Sequence, residues 1–421
     1  MAHVTVPISS QVSVIIIMQT EPLGEPLLNF SIDLYKHLVE KSGRAGNIFF
    51  SPFSIYTALS MALAGARGNT ARQLADVLRI TSEEANACFY DLLPKLEGLA
   101  PDVKLHIANR MYSEQTFPVL DSYLALLRNS YDTTVESVDF GKRYEEVRRR
   151  INAWVGEVTE SKIKDILPDD SVDQETILVV ISAVYFKGSW ESSFSSRLTR
   201  PMSFHLDSKT KRKVIMMKQK NDFMMGRLAD LAAKALEIPY RGGKASMVIL
   251  LPDKCDGLSQ LEEGLTAEKL SSLLKNFILV HDVDLFLPKF KLEQSIDLKE
   301  TLSSIGIKDL FTPDADLCGI SDAGNLVVSD AFHKAFVEVN EEGTEAAAAT
   351  ALKAVLYCSS PQFNVNRPFM FLIRCIDPHI ILFVGSVRDL GSDECPSLAA
   401  GVDAESPGTS SSTPVSSDDS S

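Results

Sequence analysis

Seven histidines and six cysteines are the groups from which an active site is most often built. Their spacing declares no such site. A GxSxG turn would expose a nucleophilic serine. An HExxH helix would hold zinc. A GxxxxGK[ST] or GxGxxG loop would cradle phosphate. All four motifs are absent. The histidines stand far apart, so a Ser/His/Asp triad gathered from distant residues stays open. Each lone one reads first as a surface or satisfied core residue. Cys88, Cys255, Cys318, Cys358, Cys375 and Cys395 form no CxxC pair. Zinc-type and thioredoxin-type sites are therefore not expected, and scattered spacing in a long chain favours free thiols. No cofactor and no metal are expected.

The most unusual chemistry lies in residues 341–358, EEGTEAAAATALKAVLYC. Local propensity reads it as an alanine-rich helix with Thr344 as N-cap. A strand reading is sharper. With period two, Thr344, Ala346, Ala348 and Thr350 share one face, all small and uncharged, and Glu345 faces the other way. Such a segment can pass between two existing strands without burying a charge or a bulky group. Gly343 supplies a pivot at its start. The same residues then have two stable placements, which makes the segment a bistable element.

The rest of the chain must supply the strands. It has 421 residues, 45% apolar and 23% charged, with mean hydropathy near zero. That excludes collagen, a wholly disordered chain and a multi-span membrane protein. Length alone suggests two or three domains. The net charge of −14 disfavours a nucleic-acid partner. The apolar run from Val12 to Met18 is at most an atypical signal, and no stretch is long enough to span a bilayer. Residues 391–421 hold ten serines, six acidic residues and no Lys or Arg, the composition of a disordered tail.

Residues 26–161 read as helix-rich. Pro52 suits a first helical position, and Ile151, Trp154, Val155 and Val158 line one face of another helix. Strands follow. The run 176–186 is β-branched enough for a buried central strand. Residues 246–251, 282–287, 336–339, 369–373 and 380–384 read as further strands, with Asp377-Pro378-His379 as a turn between the last two. The class is α+β.

Four stretches, in this order, resemble the serpin family over residues 26–390. Asn47 to Ile55 looks like the start of the family's second helix. Tyr185-Phe186-Lys187-Gly188-Ser189-Trp190-Glu191 looks like the end of its central strand. Glu341, Glu342, Gly343, Thr344, Glu345, Ala346, Ala347, Ala348, Ala349 and Thr350 look like its inhibitory hinge. Asn366-Arg367-Pro368-Phe369 with Phe383-Val384-Gly385 looks like its C-terminal signature. The resemblance implies the α+β serpin fold, one domain of three β-sheets and about nine helices with an exposed reactive loop. That replaces the multi-domain expectation. A flexible segment at 1–25 and a disordered tail at 391–421 flank the domain.

The resemblance also implies no enzyme activity but inhibition of serine proteases as a suicide substrate. The family's count of fourteen from the hinge glycine puts the reactive bond between Tyr357 and Cys358. A tyrosine there suits the apolar pocket of a chymotrypsin-like protease, held in a covalent 1:1 complex by a monomeric inhibitor. Leu356 would suit similar enzymes, and Lys353 would leave the inserted segment four residues short. Trp190 maps to the place where the loop enters the sheet, and Glu341 is expected to pair there with Lys289. Ser51, Ser54 and His333 map to a polar cluster under the sheet's centre. Ser182 departs from the pattern, standing where the family has Asn. Its shorter side chain is expected to leave His333 short of one hydrogen bond and the sheet less tightly shut.

Alternatives stay open: a non-inhibitory serpin acting as a binding protein or chaperone, a hydrolase with a hidden triad, or cross-class inhibition of a cysteine protease. The resemblance leans towards an extracellular place and the missing clear signal towards the cytoplasm. Arg148-Arg149-Arg150 and the basic stretch Lys209, Lys211, Arg212 and Lys213 read as solvated faces or as a sulfated-glycan site.

Overall fold

The computed structural model describes residues 23–342 and 360–391. Helix α1 (Gly24–Lys41) starts inside the stretch expected to be loose. Strand β1 (Ile48–Phe50) leads to helix α2 (Pro52–Gly65), which is buried at every position. A helix apolar all round belongs in a core. Its start is set by Pro52 at the first turn and by Ser51, whose Oγ accepts from the Ser54 N–H at 3.1 Å. Helices α3 (Gly68–Leu78) and α4 (Ser82–Glu97) follow, the latter opened by a Thr81–Glu84 capping box.

The helix-rich expectation for residues 26–161 fails at Val103–Glu114, which is strand β2. Val103, Leu105 and Ile107 alternate with polar residues, and that period is realised because β2 pairs along nearly all of β4 (Leu178–Gly188). Helix α5 (Asp121–Tyr131), strand β3 (Val135–Val138) and helix α6 (Phe140–Val158) complete this half. The second half is mostly strand: β5 (Arg200–His205), β6 (Lys211–Leu228), β7 (Ala233–Pro239), β8 (Ala245–Pro252), β9 (Ile278–Pro288), β10 (Phe290–Asp297), β11 (Val328–Val339), β12 (Gln362–Asn364), β13 (Phe369–Cys375) and β14 (Ile380–Val387). Three short helices interrupt it, α7 (Leu258–Gly264), α8 (Ala267–Lys275) and α9 (Leu298–Ser304). No helix among the described residues is long and apolar enough to cross a membrane.

Hydrogen bonding joins the described strands into two sheets. One has five strands in the order β10-β11-β4-β2-β3. The other has nine and runs β1-β14-β13-β8-β7-β6-β9-β12, with β5 also on β6. Three sheets reduce to two because β6, eighteen residues long, pairs β5 at its start, β9 through its middle and β7 along its end. The five-stranded sheet is covered on both faces. One face meets α2 within an apolar cluster that extends from Leu23 to Val387. The other lies under α6, where Tyr112, Ile181 and Ala183 join Ile151 and Val155. Strand β4 sits between, and Leu178 to Phe186 are all buried, as a doubly covered strand requires.

Candidate functional site

In the five-stranded sheet one pairing is unlike its neighbours. Strands β11 and β4 run parallel, in register from Val328–Leu178 to Val337–Phe186, whereas β10–β11 and β2–β4 are antiparallel. Strand β11 continues directly into Glu341 and Glu342, so the seam between β4 and β11 lies beside the start of the hinge. Of the hinge residues, Gly343 to Thr350 lie outside the described residues, as do Tyr357 and Cys358. Two clusters bridge the seam.

The first is at mid-sheet. His333, Ser182 and Asn109 stand side by side on β11, β4 and β2. All three are buried, and their side chains reach the N-terminus of α2. His333 Nε2 accepts from the Ser51 N–H at 3.1 Å. The ring proton is therefore on Nδ1, which donates to Ser182 Oγ at 3.0 Å. Ser182 then donates to Ser54 Oγ at 2.9 Å, and Ser54 donates to Asn109 Oδ1 at 2.7 Å. Asn109 Nδ2 returns a bond to the Ser54 carbonyl at 3.0 Å. Ser51 Oγ closes the chain on the Leu382 carbonyl at 2.7 Å. Burial pushes the imidazole down to about 3, so the ring is neutral at pH 7.

The expected shortfall at His333 is thus overturned. Both ring nitrogens are bonded, because Ser182 Oγ itself reaches Nδ1 and the Ser51 N–H reaches Nε2. Asn109 escaped the sequence reading, since its strand lay in a region read as helical. The alternation from Val103 to Ile107 was the signal that would have placed it.

The second cluster is at the upper end, where the ladder stops. Trp190 Nε1 donates to the Asn340 carbonyl at 2.9 Å, tying the chain after β4 to the chain after β11. The indole stacks on Tyr240 with centroids 4.6 Å apart and planes 9° from parallel. Gly188 admits this stack, since a Cβ there would meet the Tyr240 ring at 2.5 Å. Lys289 Nζ lies 2.9 Å from Glu341 Oε2. Partial burial works to raise the Glu341 carboxyl, but the hydrogen bonds from Lys289, its own backbone and Thr199, with the Lys289 charge, together outweigh it and hold the group below the ordinary range. Tyr240 and Asn340 also went unread, because nothing local marks a residue whose role is to be stacked upon or to offer a carbonyl.

The first basic stretch is consumed by ion pairs, and one residue of the second is paired. Arg148 and Arg149 engage Glu145, Arg150 engages Glu136, and Arg212 engages Asp389. No group of three metal-ligating side chains occurs among the described residues.

The family model for serpins, serine protease inhibitors, matches residues 26–390. The chain belongs to the serpin family. This serpin is 58% identical over 374 residues to Iris of Ixodes ricinus, covering 87% of this chain and 99% of the relative. It is 43% identical to the leukocyte elastase inhibitor of Sus scrofa, covering 87% and 98%. Among solved structures, uncleaved ovalbumin superposes with a TM-score of 0.80 at 31% identity, covering 87% of this serpin and 99% of that chain. The fold described above is the serpin fold, and its family relatives support protease inhibition as the general activity.

Proposed function

We propose that this serpin traps a chymotrypsin-like serine protease as a suicide substrate, with Tyr357–Cys358 as the attacked bond. The observation that carries this reading is the parallel β4–β11 seam at the root of the hinge. A segment that follows β11 and folds back into the seam runs antiparallel to β11. It also runs antiparallel to β4, since β4 and β11 are parallel. One parallel ladder gives way to two antiparallel ones, and antiparallel pairing is the more stable per residue. The inward face of that segment is Thr344, Ala346, Ala348 and Thr350. No charge is carried inside, so the desolvation that would oppose insertion does not arise.

The chemistry divides between the two proteins. The protease serine attacks the Tyr357 carbonyl and forms an acyl-enzyme, and the Cys358 amine departs. The hinge then inserts and carries the protease, still esterified to Tyr357, away from its docking position. Dragging the acyl group out of the oxyanion hole removes about 2.7–4 kcal/mol of stabilisation and stalls hydrolysis. Lys289–Glu341 and Trp190–Asn340 act as the first contacts to part, and Ser182–His333 as the next.

A tyrosine suits the wide apolar pocket of chymotrypsin better than the small pocket of elastase. The name of the leukocyte elastase inhibitor nevertheless makes elastase the second protease to try. Incubation with chymotrypsin, elastase and trypsin, followed by denaturing electrophoresis, tests the reading. An SDS-resistant band at the summed mass, with a new N-terminus at Cys358, is the expected result. Loop cleavage without that band would mean a substrate and would turn the weight to a binding role.

A further inference from the structure

Two charged stretches play no part in trapping a protease, and the fold sets them side by side. One is the hairpin of β5 and β6. In its ladder Lys211 stands opposite His205, and Lys213 opposite Ser203. Residues two apart on a strand share a face, so Lys211 and Lys213 lie together on one face of the hairpin, beside His205. Lys209, Lys211 and Lys213 are exposed, and none of them is ion-paired with a described residue. Asp207, at the hairpin tip, is turned to the backbone, where it accepts from the Lys209 and Thr210 N–H groups at 2.7 Å each. Like charges crowded on one face repel each other and attract a segment of opposite sign.

The other stretch is the end of the chain. Residues 392–421 carry Asp393, Glu394, Asp403, Glu405, Asp418 and Asp419, with no Lys or Arg. They lie outside the described residues, but the point from which they start is fixed. Asn47 Nδ2 donates to the Asp389 carbonyl at 2.7 Å, and the Arg388 N–H donates to Asn47 Oδ1 at 2.8 Å. The Asp389 carboxylate pairs with Arg212, the residue between Lys211 and Lys213, and accepts from the Gly391 N–H at 3.1 Å. Arg212 stands opposite the buried Phe204, so the tail starts on the face of β6 that looks away from the two lysines. The way round is short. Strand β6 pairs β9 only from Met216 onward, so no described strand covers Lys211 to Val214 on the side away from β5. Asp393 and Glu394 follow Gly391 by two and three residues, at most about 7 and 10 Å of extended chain, and the lysine side chains reach out to meet them.

We propose that the acidic tail folds back on the basic hairpin of its own chain, with Asp393 and Glu394 against Lys211 and Lys213, and shields that face from other polyanions. Each exposed pair is weak by itself. Tethering makes them count, because a short linker presents the carboxylates at a millimolar effective concentration that a second copy or a free polyanion must exceed. The docked tail lies near the entrance of the sheet, since Ile215, two residues beyond Lys213, accepts from the Lys289 N–H at 2.9 Å.

Zero-length carbodiimide coupling of the full chain, read by peptide mass spectrometry on the monomer, tests the contact. Amide links from Lys209, Lys211 or Lys213 to the tail carboxylates are expected at low salt. They should be lost at about 1 M salt, where the screening length is about 3 Å. No such link in the monomer overturns the docked tail, and so do links confined to dimers, since the tail would then serve a second copy. Elution from a sulfated-polysaccharide column separates docking from bulk charge. The wild type is compared with Lys211→Ser/Lys213→Ser, with Asp393→Asn/Glu394→Gln, and with all four changes together, each with an unmoved melting temperature. Neutralising the tail should delay elution where both lysines are present and change little where they are absent. An equal delay in the two backgrounds would mean long-range charge alone and would overturn the docking. No delay in either background overturns it as well.

Discussion

At mid-sheet the seam between β4 and β11 is joined by neutral groups, His333, Ser182, Ser54 and Asn109, with every polar atom of the chain bonded and buried. At the upper end it is joined by Trp190–Asn340 and by the charged pair Lys289–Glu341, whose side chains are 33% and 16% exposed. Breaking the first leaves buried donors and acceptors without partners. Breaking the second lets water replace much of what is lost. The seam is thus held firmly at its centre and lightly at its top, so opening should start at the top, beside the hinge.

Under the proposed mechanism, the segment that passes both clusters gives the largest effect. Thr344→Arg places a charge on the inward face, and burying it unpaired is prohibitive. Loop cleavage by chymotrypsin should persist while the SDS-resistant complex disappears. Retained complex would mean that residue 344 does not enter the sheet.

The central cluster should respond next. Asn109→Ala removes the acceptor of Ser54 and should cost about 1–3 kcal/mol in urea unfolding, the penalty of an unmet buried partner. A null effect would show that the chain ends harmlessly at Ser54.

Acid should reach the same cluster. The His333 ring is held at about 3 in the folded state, against about 6.5 unfolded. Between those values the unfolded chain takes up a proton that the native ring excludes. Stability is therefore fully present above about pH 6.5 and falls by up to about 1.4 kcal/mol per unit below it. His333→Gln should flatten that slope in unfolding titrations between pH 6.5 and 4. Glu341 works in the other sense: against its burial, the hydrogen bonds from Lys289, its own backbone and Thr199 together hold it below the ordinary range. Its own contribution is present above the unfolded carboxylate value and lost only as pH falls through the depressed one.

The smallest effect belongs to the charged pair. Lys289→Ala should cost at most about 1 kcal/mol and should speed the insertion step seen by stopped-flow fluorescence. The same acceleration in the wild type at high salt would mark it as electrostatic.

Much of this was readable along the chain, for local reasons. The run 176–186 is β-branched, so its central place in a sheet followed. Pro52 after Ser51 announced the start of α2. Strand β2 was passed over, because its alternation is short and sits among helices, and Asn109 was lost with it. The Ser182 reading failed for a related reason. It weighed one side chain against a family pattern and could not see that the register of β4 on β11 brings Ser182 Oγ within hydrogen-bond reach of His333 Nδ1.

By itself the sequence determined the class of fold and the small uncharged face of the hinge, each a matter of residue type and period along one stretch, while the proposed reactive bond rests on the count that the family resemblance implies. Only the tertiary structure decided which strands flank the seam, that they run parallel, and that a serine at 182 suffices. These depend on register between segments far apart in sequence, and register is set by the packing of the whole sheet.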